Sequence, residues 1–189
     1  MRNTKKNTVK LTKIALAVSA ALCFTQQAFA VPANATLPSG PTVVIGKDHV
    51  TIGDPVNNVM DIKQDVTTSV IQWDDFSVGA DATVNFVGKN GKDFTGHNSV
   101  NFVNSGKVSE IYGQINAKGG NIVIANSAGV QIGSSAQINV GSLYVTNKKL
   151  EEKDFTTITK DSNYEAITQV INQAQTGAAE LMSLGGIVA

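Results

Sequence analysis

Beyond residue 30 the chain has no cysteine, no arginine and one tryptophan, and across all 189 residues only 16% are charged and 6% aromatic. Each shortage excludes something. Without cysteine no disulfide can brace the chain beyond residue 30, so stability must come from a continuous core, and about 159 residues are enough to build one. An unbridged chain is also free to cross a second membrane unfolded. Without arginine the planar fork that grips phosphate pairs is missing, and ten lysines face fifteen carboxylates beyond residue 30, a net of five negative charges. That balance removes the case for nucleic acid as a partner. The two histidines, His49 and His97, lie far apart in sequence and neither has a cluster of candidate ligands near it. No metal site, cofactor or catalytic constellation is therefore expected.

The amino terminus is different. Arg2, Lys5, Lys6, Lys10 and Lys13 form a basic patch, Ile14 to Phe24 is an apolar run, and Ala28-Phe29-Ala30 follows. That order is the pattern of a cleaved secretory signal: basic residues retained on the cytoplasmic side, an apolar core, and small residues at Ala28 and Ala30 for the peptidase cleft. A membrane anchor needs roughly 20 apolar residues, more than this run supplies. A lipid-modified Cys23 would need a small residue where Leu22 stands. Residues 1–30 are read as a signal peptide removed before Val31.

From there to Leu150 the chain reads as short strands. Val43-Val44-Ile45, Val50-Thr51-Ile52, Val70-Ile71-Gln72-Trp73, Val84-Asn85-Phe86-Val87, Val100-Asn101-Phe102-Val103, Ile122-Val123-Ile124 and Leu143-Tyr144-Val145 are β-branched or aromatic runs bounded by Gly, Asn, Asp or Pro. Val-Asn-Phe-Val occurs twice, and a strand repeated at short period is expected of stacked units. Between Ile115 and Val145 apolar and polar residues alternate, and Gly119-Gly120, Asn126 to Gly129, Gly133 to Ser135 and Gly141 interrupt them. A coil of parallel strands needs that pattern: one side chain inward, the next outward, and a residue tolerant of left-handed angles at each corner. The fold class is read as all-β, a right-handed parallel β-helix with N-terminal capping strands and a short C-terminal helix. A β-sandwich of tight hairpins shows similar strands and stands as the alternative.

The ordered motifs Leu37-Pro38-Ser39-Gly40, Ile71 to Gly79, Val84 to Val87, Asn98-Ser99-Val100, Ser109 to Gly119, Asn126-Ser127-Ala128-Gly129-Val130 and Val140 to Leu143 resemble the amino-terminal secretion domain of filamentous haemagglutinin-type exoproteins. The resemblance covers about Ala35 to Leu150. It implies a two-partner secretion system. The exoprotein crosses the outer membrane of a Gram-negative bacterium through a β-barrel transporter whose periplasmic domains bind this domain, which then folds outside and nucleates the rest. Passengers of the family are usually adhesins, for which a host-cell glycan or protein receptor is a further partner. Asn126-Ser127-Ala128-Gly129 stands where the family has Asn-Pro-Asn-Gly and is the candidate turn and transporter-recognition stretch. Trp73, Phe76, Gly113 and Asn116 are structural members of the family pattern.

Read as chemistry, Asn126 and Gly129 suit the first and fourth positions of a type I turn. The absent proline leaves the unfolded chain freer, which weakens the turn by about 0.4 to 1 kcal/mol. Trp73 and Phe76 could form a sugar-stacking platform, but core packing is the expected role. Asp74 and Asp75 point to opposite faces of an extended segment and cannot readily act as an acid/base pair.

After Leu150 the character changes. Glu151-Glu152-Lys153-Asp154 is polar, then Tyr164, Ile167, Val170, Ile171 and Ala174 recur at helical spacing with Asp161 or Ser162 as the expected N-cap. Residues 151–189 are read as this polar segment, a short helix and the start of a further coil at Gly185 to Ala189, with the expectation that the product is longer or that the chain is a truncated remnant. Residues 31–150 then form the secretion β-helix domain. The functional expectation is a non-enzymatic export and folding-nucleation domain of a surface adhesin or haemagglutinin. The alternatives are a stand-alone β-helical carbohydrate-binding or carbohydrate-active protein, or the export module of a contact-dependent toxin.

Overall fold

The computed structural model describes residues 32–176, 182–183 and 187–188. The expected signal segment, with Ala28 and Ala30, lies outside the described residues, as do Gly185, Gly186 and Ala189. The strands are β1 (Thr42–Ile45), β2 (Val50–Ile52), β3 (Val59–Gln64), β4 (Thr68–Trp73), β5 (Thr83–Val87), β6 (Asn98–Val103), β7 (Ser109–Ile111), β8 (Gln114–Asn126), β9 (Val130–Ile132), β10 (Gln137–Thr146), β11 (Lys148–Lys149), β12 (Gln175–Thr176), β13 (Met182–Ser183) and β14 (Ile187–Val188). One α-helix, α1 (Tyr164–Gln173), follows a 3-10 turn at Glu152–Phe155.

The pairing is that of a β-helix and excludes a sandwich. β3, β5, the first part of β8, the first part of β10 and β14 stack in parallel as one face. On the second face β4, β6, the latter part of β8 and the latter part of β10 stack in the same way. A third face is β7, β9 and β13, which the Val78–Ile111 bridge extends to the first coil. Crossovers between parallel strands favour a right-handed path on steric grounds, in keeping with the hand expected from the sequence. β8 and β10 each run across two faces, bending at Gly119–Gly120 and at Gly141, where the register shifts. A Cβ on Gly141 would meet the Gly119 and Gly120 carbonyls, so only glycine lets the two bends stack.

Side-chain alternation builds two cores from one sheet. On the second face Ile71, Trp73, Val103, Ile122 and Ile124 point into the lumen, while Val70, Val100, Phe102, Val123 and Ala125 point outward and are just as fully buried. Leu150, Phe155, Ile158, Ile167 and Ile171 cover that outer side. Parallel strands buried on both faces usually carry near-continuous apolar sequence; β4 and β6 depart from this, with Ser69, Ser99 and Asn101 buried among their apolar residues. The helix supplies Ile167 and Ile171 from one stripe. Its N-cap is Asn163, whose Oδ1 accepts from the Ala166 N–H at 2.9 Å, in place of the expected Asp161 or Ser162. At the other end the Lys148 ammonium donates to the Ala174 carbonyl at 2.9 Å, a cation on the open helix carbonyls.

The first coil is capped on all three faces. β1 lies antiparallel on β4 and β2 antiparallel on β3. Residues 33–39 close the third face through Ser39–Asp75 bonding and through the Gly79 and Asp81 amides, which donate to the Thr36 and Asn34 carbonyls.

The two Val-Asn-Phe-Val stretches do not stack on one another. Val84–Val87 belongs to β5 and Val100–Val103 to β6, on successive faces of the same coil, and both lie against β8. The coils also differ in length: Thr83 pairs with Gln114, 31 positions on, whereas Gln114 pairs with Gln137, 23 positions on. Short repeats in sequence are therefore not the repeats of the helix.

Replacing Ile171 by Ala should cost about 2 to 5 kcal/mol of stability, because it empties a site sealed between α1 and the outer side of the second face. The measurement is the urea midpoint at unchanged m-value.

Candidate functional site

The turn Asn126–Gly129 sits at the corner between the second and third faces. Trp73, Val103 and Asn126 occupy equivalent positions in three successive coils. The Gly129 N–H donates to the Asn126 carbonyl at 2.9 Å, closing a four-residue turn, and Gly129 has φ 112°. The Asn126 side chain is fully buried. Its Nδ2 donates to the Lys107 carbonyl at 2.8 Å and to Ser109 Oγ at 2.9 Å, and its Oδ1 accepts the Ala128 N–H at 2.9 Å. Asn126 thus ties the turn of one coil to the turn of the coil before. Ser127 and Ala128 are half-buried and are the part of the motif that a partner could reach.

Trp73 and Phe76 are buried, with ring centroids 5.5 Å apart at 65°. The Trp73 indole donates to Asn101 Oδ1 at 3.0 Å, and Asn101 is itself fully buried. Edge-to-face packing with a satisfied N–H makes them a structural lock of the first coil, with no ring face free for a sugar. Between them Asp74 is exposed and Asp75 half-buried.

Gly113 lies at the corner between the third face and the first. A Cβ there would clash with the Gly79 and Ala82 carbonyls, and its own N–H donates to the Val78 carbonyl at 3.0 Å. The corner admits no side chain. Asn116 stands on the outer side of the first face. Its Nδ2 donates to Asn85 Oδ1 at 2.9 Å, and Asn85 Nδ2 donates to Asp61 Oδ1 at 3.0 Å, a ladder that climbs one coil per rung.

A family model for the TPS secretion domain matches residues 35–185. The chain belongs to this family. The heme/hemopexin-binding protein of Haemophilus influenzae strain Rd is 33% identical over 161 residues, covering 79% of the chain and 17% of that protein. A second Haemophilus influenzae protein of the same description is 33% identical over 120 residues, 64% of the chain and 12% of that protein. The chain therefore spans less than a fifth of the curated relatives it matches. Among solved structures, the HMW1 secretion domain from Haemophilus influenzae superposes with a TM-score of 0.54 at 22% identity, over 64% of the chain and 30% of that one. That likeness concerns the fold. Exoproteins of this family are secreted across the outer membrane of Gram-negative bacteria by a transporter partner.

In this TPS domain the four structural residues singled out from the sequence do not converge on one site. Trp73 and Phe76 pack together in the first coil, whereas Gly113 holds a corner and Asn116 a rung elsewhere. Sequence reading missed the amide networks altogether. Inside the lumen Gln64 Nε2 donates to the carbonyls of Val66 at 2.8 Å and Asn98 at 3.1 Å, and its Oε1 accepts from Ser69 Oγ at 2.6 Å. The signal was present as asparagines at 85, 116 and 139, which pair in register, but unequal coil lengths hide their period.

Among the described residues no group of three or more His, Cys, Asp or Glu comes together to hold a metal ion. His49 Nδ1 meets Asp65 Oδ1 at 2.8 Å, and His97 Nδ1 lies 2.6 Å from the Val66 carbonyl. Glu110, on the outer side of β7, has its carboxyl pushed up from the ordinary range by burial and then by the Asp75 charge. Asp75 Oδ1 is buried with no hydrogen-bond partner.

Two outcomes are expected of the TPS domain. Asn126→Ala removes three hydrogen bonds and strands the groups they satisfied, so it should destabilise the fold by about 2 to 4 kcal/mol, read by circular-dichroism melting. Glu110 binds a proton more readily folded than unfolded, so its contribution is lost as pH rises from the unfolded-state value through the higher folded one. Glu110→Gln should therefore flatten the fall in stability between acid and neutral pH, measured as the melting temperature of both proteins across that window.

Proposed function

We propose that residues 31–189 form the export domain of a longer exoprotein. The periplasmic domains of an outer-membrane β-barrel transporter bind it, pass it through unfolded after Sec-dependent delivery, and release it to fold on the far side, where it nucleates the β-helix of a surface or secreted passenger. The observation that carries this is the return of the strands to the coil. After an excursion through the 3-10 turn and α1, β13 and β14 rejoin β9 and β10 in parallel register. Each coil presents a row of backbone donors and acceptors to the next, so a folded first coil lowers the cost of every later one. Non-enzymatic action fits Trp73, Phe76, Gly113, Asn116 and Asn126, which are tied into packing and hydrogen bonds.

The relatives named for heme and hemopexin binding favour a passenger that captures a host haem-carrier protein alongside the adhesin or haemagglutinin expected from sequence. Transporter contact at the Asn126–Gly129 corner would fall on Ser127, Ala128 and their backbone, since Asn126 faces inward. The burial of Trp73 and Phe76 disfavours the stand-alone carbohydrate-active reading.

Expression in a Gram-negative host with and without a cognate transporter tests the proposal. Mature protein in the medium only when the transporter is present is expected; equal retention in the periplasm in both strains would overturn it.

A further inference from the structure

The second coil carries more chain than a β-helix corner needs. Between β5 and β6 run residues 88–97, where the next coil turns with Gly119–Gly120 and the one after with Gly141. The insertion is firmly seated. Phe94 is fully buried, with its ring 5.7 Å from Phe86 and 5.2 Å from His97. Thr95 lies over Gly119, the His97 ring over Gly88, and Phe94 over Gly120, each in space that a Cβ on that glycine would take. The His97 Nδ1 bond to the Val66 carbonyl must carry the proton on the nitrogen, because a carbonyl only accepts, and this fixes the ring.

The outward side of the same insertion has no packing role. Gly91 and Gly96 adopt positive φ with nothing within 4 Å of a notional Cβ. Lys89, Lys92, Asp93, Thr95 and His97 surround an open cavity of about 480 Å³. Asp93 is matched by Lys118 at 3.0 Å, and the Lys89 ammonium is 4.0 Å from an Asp65 whose other oxygen already holds His49. Lysines 89, 92 and 118 against Asp65 and Asp93 leave one positive charge over beside the cavity, in a domain of net negative charge. A loop held rigid from beneath and functionless for packing above is where a scaffold places binding groups.

We propose that this cavity binds a phosphate monoester, with the Lys89 and Lys92 ammonium groups meeting the dianion. Lysine serves phosphate as a point charge and does not need the arginine fork that this domain lacks. The same group is offered by a free phosphosugar or by a lipid headgroup that ends in a phosphate monoester, such as phosphatidic acid, at a membrane surface. A monocarboxylate gives one charge where two ammonium groups are placed.

The test is amide NMR of the full mature chain at constant ionic strength, which holds screening fixed. The Gly88, Gly91, Gly96 and Gly119 signals report on the cavity wall. Titration with glucosamine 6-phosphate is expected to shift them saturably, inorganic phosphate to shift them more weakly, and acetate to leave them in place. The paired K89Q/K92Q variant should bind at least tenfold more weakly with the rest of its spectrum unchanged. Vesicles containing phosphatidic acid, compared with phosphatidylcholine, separate the sources: line broadening confined to these signals assigns the site to a lipid headgroup, and its absence beside a phosphosugar response assigns it to a soluble ligand. Shifts spread evenly over all lysine-bearing surfaces, an equal response to acetate, or affinity unchanged in the K89Q/K92Q variant would overturn the proposal.

Discussion

Everything in this domain depends on the parallel ladder along β8, a 13-residue strand hydrogen-bonded on both of its long edges. A ladder of that length holds its register only if every coil turns its corners at the same places. The corners are consequently where the sequence has least freedom. Gly113 and Gly141 each sit against carbonyls of the neighbouring coil, and at the third corner Asn126 bonds to the coil before it. A β-branched residue at any of these positions would break the stacking of faces that are otherwise tolerant.

The lumen and the outer side of the second face contribute in different ways. The lumen joins apolar side chains to satisfied amides: Gln64, Ser69, Ser99, Asn101 and Asn126 are all essentially inaccessible. Buried polar groups are costly unless paired, and pairing them across coils makes each rung specific for its neighbour. The outer side is plain hydrocarbon, covered by a segment from much later in the chain. One sheet is thus stabilised by local order on one side and by a long-range clasp on the other.

The alternation of Ile122, Ile124, Ile138, Val140, Leu143 and Val145 and the glycines between them made the coil legible in sequence, because inward packing and tight corners act on nearest neighbours. The turn at Asn126 and the helical stripe of Ile167 and Ile171 were legible for the same reason. What could not be read is what depends on distance along the chain. Val84–Val87 and Val100–Val103 look like successive rungs and are adjacent faces, since the insertion at residues 88–97 offsets the period. The Asp61–Asn85–Asn116 ladder is hidden by the same unequal spacing. Asn163 caps the helix ahead of two residues with equal propensity because the preceding turn, where Ser162 Oγ accepts the Thr159 N–H at 2.9 Å, already uses Ser162.

The antiparallel strands across the first coil have a further consequence. A stack of parallel strands left bare at that end would accept the other end of an identical molecule, and such head-to-tail contacts do not close; they grow into fibrils. β1 and β2 reverse the strand direction there, and residues 33–39 cover the remaining face, so the exposed edge no longer matches the one at the opposite end. The cap thus removes from this end the parallel edge that a second molecule would otherwise continue.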